Sequence, residues 1–303
     1  MNGVKITQLH GGTVGDVKLI ECEKAVLKTQ KKWGRSFDFD SWRREYDLYK
    51  SGFCELFDDS LRWAECYHAE MNENGDEYQL WLEHIGGVTG ADLTAEMLEQ
   101  AAYELGRFQG RLYAEKPRVL QSIANFSNTG FLKQNYLHYR GWSELYDYIR
   151  SDDCGIPEHL CRMLIEIDES SEEIFRHIEK LPVVLCHRDF WNTNIFYTDS
   201  GIRLIDWDTA GWGYFGEDIA ALIADEADIQ SMTGYYRKCA PAYYKGFSEY
   251  AAADIKDNCV YELMLIIFGY RFVEWYKFGE TPEEKKLQIN ALQKIYEMRE
   301  IKL

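Results

Sequence analysis

The sequence predicts an α+β fold built as two lobes: a β-rich amino lobe over residues 1–85 and a mostly helical carboxy lobe over residues 91–303, joined by a linker at 86–90. Three observations predict it. Short runs with β-branched residues crowd the first third of the chain. Helical spacing of apolar residues dominates after residue 90. One island of strands, between residues 183 and 205, interrupts the helices.

In the amino lobe, residues 4–9, 17–22 and 25–30 read as strands, separated by a glycine-rich turn and by Glu23-Lys24. A helix is expected over 38–51, ended by Gly52 at the usual C-terminal position. Residues 61–70 and 78–85 read as a hairpin, because Asn72-Glu73-Asn74-Gly75-Asp76 is turn chemistry. Gly86-Gly87-Val88-Thr89-Gly90 then punctuates the chain. Beyond it, Met97, Leu98, Ala101, Leu105, Phe108 and Leu112 recur at helical spacing over 94–114. Helices are also expected over 131–150, over 157–180, and from 217 to the C-terminus. The strand island comprises 183–186, 195–198 and 202–205, the last two joined by Asp199-Ser200-Gly201.

Composition narrows the function. A net charge of -17 repels phosphate backbones and anionic lipid, so nucleic acid and membrane are poor partners, while cations are attracted. Eight cysteines include no C-x-x-C pair, and several lie in apolar runs such as Val183-Val184-Leu185-Cys186, where a thiol acts as a small hydrophobe. No disulfide framework is expected, and a reducing compartment fits. The first residues lack an apolar signal region, and the longest apolar run, 263–268, is far short of a membrane span. The expectation is a cytoplasmic protein.

The strongest chemical signal is Cys186-His187-Arg188-Asp189-Phe190-Trp191-Asn192-Thr193-Asn194, followed by Leu204-Ile205-Asp206-Trp207-Asp208. An apolar strand ends in His187-Arg188-Asp189, Asn194 opens the next strand, and Asp206 ends the third. The hairpin brings Asn194 and Asp206 to one mouth. An amide oxygen and a carboxylate there suit a hard cation such as Mg²⁺, which takes few protein ligands and keeps waters and phosphate oxygens. Asp189 is left to meet a substrate hydroxyl. Positioning, charge neutralisation and a carboxylate at the nucleophile are what phosphoryl transfer needs. A lone strand-end Asp ordinarily caps a turn. The ordered set, with Asn at +5 and Asp at +17 from Asp189, is far more specific.

These residues resemble the aminoglycoside phosphotransferase and choline kinase superfamily, a branch of the protein-kinase-like fold, whose members carry H-G/R-D-x-x-x-x-N and then an I-D-W/F-D/E strand end. The resemblance spans about residues 5–275 and is tight at 183–218. It implies that Asp189 is the catalytic base, that Asn194 and Asp206 hold magnesium, and that His187 and Arg188 support the loop. Many small-molecule members have Gly where this chain has Arg188. Asp208 reads as a cap of the following turn, although in some relatives the matching carboxylate touches metal or substrate.

The same resemblance assigns the nucleotide, ATP or GTP, to the amino lobe. His10-Gly11-Gly12-Thr13-Val14-Gly15-Asp16-Val17 fits the last part of a kinase glycine loop through Gly12, Gly15 and Val17, with His10 in place of the first glycine. Backbone N–H groups around Gly12, Thr13 and Gly15 would approach phosphates and Val17 would cover the base. Lys28 matches the phosphate-anchoring lysine of the third strand, with Val26 two residues away on the same face as an apolar wall for the base. Glu45, 17 residues on, stands where the family keeps the lysine's partner, with Asp47 and Glu55 as nearby competitors. The backbone of Glu83 and Ile85 would hydrogen-bond the purine.

A small-molecule acceptor is favoured over a protein, because only twelve positions separate Asp206 from Asp218, which reads as the N-cap of the next helix. Acidic Asp225, Glu226 and Asp228 and aromatic Trp212, Tyr214, Trp275 and Tyr276 are available on the helical lobe for a cationic acceptor. Two other classes remain open: a nucleotide-binding protein without turnover, and a metal-dependent glycosyltransferase using Asp206-Trp207-Asp208. The second would need βαβ units in the first half, whereas this chain begins with consecutive strands.

Overall fold

The computed structural model describes every residue except 1–4, 10–14, 21–23, 37, 225–228, 253–258 and 303. The amino lobe is an antiparallel sheet formed by β1 (Ile6–Gln8), β2 (Asp16–Ile20), β3 (Ala25–Lys31), β5 (Cys66–Met71) and β6 (Glu77–Glu83), in the order β1-β2-β3-β6-β5. Period-two alternation decides which face is covered. Tyr78, Leu80 and Leu82 of β6 point inward and pack with Trp42 of α1 (Ser41–Tyr49), the helix laid across the sheet. The register places Val17 opposite Lys28, and Val26 opposite Leu82.

The expected hairpin from residue 61 divides in the structure. Only Cys66–Met71 pairs with β6, while β4 (Leu61–Trp63) runs parallel to β10 (Gly201–Leu204) in a second sheet. The other members are β9 (Ile195–Thr198) and β7 (Val88–Thr89), giving the order β4-β10-β9-β7, so the glycine-rich linker carries a strand of its own. Leu61 and Trp63 are buried while Arg62 is exposed, an alternation that sequence alone cannot assign to one sheet rather than the other. The strand island also divides. β8 (Val183–Cys186) pairs with β11 (Gly211–Tyr214), a glycine-containing strand absent from the sequence reading. Gly52 does not end α1 in a left-handed cap; Lys50 is the C-cap, and Gly52 leads into a 3-10 turn over Phe53–Leu56.

The helical lobe begins with α2 (Ala95–Glu115), capped by the Thr94 side chain accepting from Met97 N–H. The next helical stretches are shorter than their apolar periodicity suggests. α3 (Val119–Ser122) is a single turn, and the stretch expected over 131–150 becomes α4 (Gly130–Gly141) and α5 (Leu145–Tyr148), separated by Ser143 and Glu144 at positive φ. That expected over 157–180 breaks at Ser170 into α6 (Glu158–Glu169) and α7 (Ser171–Ile178). The C-terminal part comprises α8 (Glu217–Ala224), α9 (Met232–Ser248), α10 (Cys259–Phe278) and α11 (Pro282–Met298), the last opened by a Thr281/Glu284 capping box. Cys54, Cys66, Cys154, Cys161, Cys186, Cys239 and Cys259 are free thiols. Among the described residues no helix is long and apolar enough to cross a membrane.

The most intimate packing in the lobe is α2 against α9. Gly106, Gly110 and Gly246 let the two backbones touch: a Cβ at Gly246 would sit 2.2 Å from the Tyr103 carbonyl oxygen, and one at Gly106 would sit 2.2 Å from that of Tyr243. Neither neighbour is a flexible side chain that can swing away. Gly246→Ala is expected to cost about 1–3 kcal/mol, the ordinary scale of overpacking. Urea unfolding of the variant beside wild type checks this, and an unchanged midpoint contradicts the close approach.

Candidate active site

Lys28 is placed by β3 so that its ammonium reaches out of the sheet between two carboxylates. Its Nζ lies 2.5 Å from Glu45 Oε2 on α1 and 2.6 Å from Asp206 Oδ1 just after β10. Burial works against the charge of Lys28, but the Asp206 and Glu45 carboxylates outweigh it and raise its pKa well above the usual lysine value. Burial also raises Glu45, against the pull of Lys28, whereas for Asp206 the lysine overcomes burial and the pKa falls. The competitors of Glu45 are occupied elsewhere: Asp47 pairs with Arg43 on α1, and Glu55 belongs to the 3-10 turn.

The loop after β8 is held from three sides. Asp218 is no N-cap: it lies in the first turn of α8, is buried, and its carboxylate accepts from His187 N–H at 2.9 Å and Arg188 N–H at 2.7 Å. Arg188 itself, at φ 64°, donates to the carbonyl oxygens of Trp212 (2.5 Å) and Asn128 (3.1 Å) and to Ser127 Oγ, beside the buried Glu217 carboxylate. Thr209 Oγ1 donates to the His187 carbonyl. Beyond these contacts the Asp189 side chain meets Asn194, whose Nδ2 donates to Asp189 Oδ2 at 2.8 Å and to the Asp189 carbonyl at 2.9 Å. Asn194 is buried in the 3-10 turn that opens β9, and Ile205 N–H donates to its backbone carbonyl.

His187 packs against Trp207 with ring centroids 4.4 Å apart. Its Nε2–H donates to the Ile205 carbonyl at 2.9 Å, and Nδ1 accepts from Asp189 N–H at 3.3 Å, an arrangement that suits the neutral ring. Burial lowers its pKa from 6.5 to about 4. The imidazole is therefore a fixed brace between the strand ends at physiological pH.

Asp206 (φ 66°) is one-quarter exposed, and Asp208 stands beside it. Burial and the Asp206 charge push Asp208 up to about 7. Its backbone carbonyl accepts from the fully buried Arg44, which also forks onto Asp38, and its carboxylate lies 3.7 Å from the Arg35 guanidinium. Asp208 is thus held beside the Lys28–Asp206 pair. Among the described residues no group of three or more His, Cys, Asp or Glu side chains could hold a metal ion. Asn194 and Asp206 bring an amide oxygen and a carboxylate, the donor types suited to a cation that completes its shell with phosphate and water.

The remaining sequence-predicted residues are distributed unevenly. Gly15, Val17 and Val26 lie on or beside β2 and β3, next to Lys28. Gly12, Thr13, Asp225, Glu226 and Asp228 lie outside the described residues. The Glu83 N–H is already committed to the Glu65 carbonyl at 2.8 Å and so does not serve a purine here. Trp212 turns its ring edge against Phe126, and Trp275 packs with Arg271 and Phe272 on α10. Sequence reasoning misses Arg35 and Arg44, and misreads Asp218. A signal for Asp218 exists: Glu217-Asp218 opens a helix whose next six residues are all apolar and buried, and acids entering such a core must find donors.

A model of the phosphotransferase enzyme family matches residues 61–252. This chain belongs to that family. No curated protein sequence matches it. Solved phosphotransferase structures share its fold at low identity. The GDP and kanamycin complex of APH(2")-IIia aligns with a TM-score of 0.64 and 12% identity, over 97% of this chain and 94% of that one. Choline kinase from Cryptosporidium parvum gives 0.59 and 15%, over 98% and 90%. Amicoumacin kinase in complex with AMP-PNP and Ca²⁺ gives 0.58 and 14%, over 96% and 88%. The fold is therefore protein-kinase-like, and the chain is a phosphotransferase.

The depressed pKa of His187 has a testable sign. A folded value below the unfolded one contributes stability that is fully present above pH 6.5 and is lost as pH falls through about 4, on the order of 3 kcal/mol in all. Its ring resonances are expected not to titrate between pH 7.5 and 5.5, followed by NMR against His187→Gln for assignment. Titration near 6.5 contradicts the buried brace.

Proposed function

We propose that this phosphotransferase is a small-molecule kinase that moves the γ-phosphoryl group of ATP or GTP onto an acceptor hydroxyl. The observation that carries the reading is that Lys28 meets Glu45 and Asp206 while Asn194 meets Asp189, the two groups joined by the Ile205 N–H, next to Asp206, donating to the Asn194 carbonyl. In this reading the lobe over residues 1–85 carries the nucleotide and the lobe over 91–303 the acceptor. Lys28 binds phosphate oxygens and Glu45 keeps its ammonium aimed. Asn194 and Asp206 would hold a divalent cation, Mg²⁺ by its preference for oxygen, which when bound neutralises charge on the phosphates. Asp189 orients the acceptor hydroxyl and takes its proton, while His187 and Arg188 keep the loop in place. The glycine loop would cover the phosphates, and the carbonyl of Glu83 with the backbone of Ile85 would read the base.

The acceptor of this reading is cationic and of the aminoglycoside type, with choline or ethanolamine as the second choice. Its support is the charge of -17 and the names of the structural relatives, which include a kanamycin complex and a choline kinase. It would lie between the Asp189 loop and the helical lobe, near Asp208 and Trp212. A phosphorylation screen with Mg²⁺–ATP and Mg²⁺–GTP over aminoglycosides, choline, ethanolamine, methylthioribose, homoserine and macrolides identifies it. For a cationic acceptor KM should rise as salt is raised. A salt-independent KM for a neutral acceptor contradicts the charge argument alone.

Asp189→Asn is expected to lower turnover by about 10²–10⁴-fold, the usual scale for a positioned general base. Nucleotide affinity, measured by calorimetry with AMP-PNP, should stay within about twofold, because Asp189 faces the hydroxyl and not the phosphates. A variant that retains most of its turnover removes Asp189 from the role.

A further inference from the structure

The loop that carries Asp189 is tied to a part of the molecule that none of the chemistry above uses. Gln109 lies on α2, three residues past Gly106, and is 1% exposed. Its Nε2 donates both of its hydrogens, to Asp218 Oδ2 at 2.9 Å and to the Leu185 carbonyl of β8 at 3.0 Å. Its Oε1 accepts from the hydroxyl of Tyr243, which lies on α9, is fully buried, and accepts in turn from Gly216 N–H at 3.3 Å. Donors and acceptors therefore follow one order: Tyr243 to Gln109, Gln109 to Asp218, and the two loop amides to Asp218. The helices that supply Gln109 and Tyr243 are those whose backbones touch at Gly106, Gly110 and Gly246.

We propose that Gln109 is a positioning residue for phosphoryl transfer, holding the Asp218 carboxylate in the orientation that keeps the backbone of His187 and Arg188, and with it Asp189, in place. The proposal rests on the kinase reading for its meaning in catalysis, but its structural part does not. A carboxylate at the head of a helix has rotational freedom about its Cα–Cβ and Cβ–Cγ bonds. It can serve two adjacent amides at once, one oxygen each, only in a narrow range of orientations. A third donor, delivered by an amide whose other end is fixed by a tyrosine, removes that freedom. Burial pushes Asp218 up to about 6 while the two loop amides pull it down, so the ionised form that accepts from them has little to spare. Gln is suited to the place because it donates twice and accepts once at full burial, leaving no polar atom unmet.

The test is hydrogen exchange at the His187 and Arg188 amides, read by mass spectrometry, in wild type, Gln109→Met and Tyr243→Phe. Gln109→Met keeps the length of the side chain and removes both donors. It is expected to speed exchange at these two amides by about tenfold or more, the scale of one hydrogen bond to a charged group. Exchange in β6 and the Kd for Mg²⁺–AMP-PNP should hold within about twofold, while turnover on the acceptor found by screening falls in kcat with KM for nucleotide unchanged. Tyr243→Phe leaves Gln109 in place but loosens it, and should act on the same two amides less strongly. Unchanged exchange at His187 and Arg188 in both variants overturns the proposal. So does acceleration spread evenly through the helical lobe, which makes Gln109 part of the core alone. Should the protein prove not to be a kinase, the exchange result still stands or falls by itself.

Discussion

The Lys28 ammonium, shared between Glu45 and Asp206, is the interaction on which the rest of the molecule depends. It joins three elements: a strand of the amino sheet, the helix across it and the end of a strand from the second sheet. The pair to Glu45 is almost dry, since that carboxylate is 1% exposed. Removing the lysine would leave a buried negative charge beside a second one, a loss of several kcal/mol, whereas keeping it contributes little net stability after desolvation. An arrangement that is costly to break and adds little when made is better suited to holding a geometry than to holding a fold.

Two strand ends of the site are themselves under constraint. Arg188 and Asp206 adopt φ of 64° and 66°, a region that L residues with a Cβ enter at a cost on the order of 1–3 kcal/mol. Each is over-determined by its surroundings. Asp218 accepts from the Arg188 amide, and the Arg188 guanidinium is spread over three backbone or hydroxyl oxygens. Asp206 is drawn to Lys28, and its neighbours are tied back through His187 to Ile205 and through Arg44 to Asp208. The backbone bends are therefore where side chains of the site are re-aimed, and the buried polar groups beneath them keep those bends from relaxing.

Much of this is legible in the sequence, and what is not has a physical pattern. The two-lobed architecture follows from where period two gives way to period 3.6. The structure also brings the β3 lysine, its glutamate 17 residues on and Asp206 into contact, the first two from strand and helix positions and Asp206 from the bend just past β10. The partner of a strand is a tertiary fact, so sequence reasoning gives Leu61–Trp63 to the wrong sheet and Gly211–Tyr214 to none. Asp218 is misread for a related reason. A carboxylate at the start of a helix caps it when exposed and serves a distant loop when buried, and only the burial of α8 distinguishes the two. Gln109 carries no local signal, since its partners Leu185 and Asp218 lie 76 and 109 residues away, and Arg44 reaches Asn125 and Asp208 as well as the nearby Asp38.

The most direct measurement is a structure of the protein with Mg²⁺ and AMP-PNP. Lys28 Nζ should have turned from Asp206 to the phosphates while keeping Glu45, with Asp206 and Asn194 oxygens on the metal at roughly 2.0–2.1 Å and Asp189 left facing the open side of the γ-phosphate. A metal held elsewhere, or Asp206 still paired with Lys28 and turned from the phosphates, contradicts the assignment of the site.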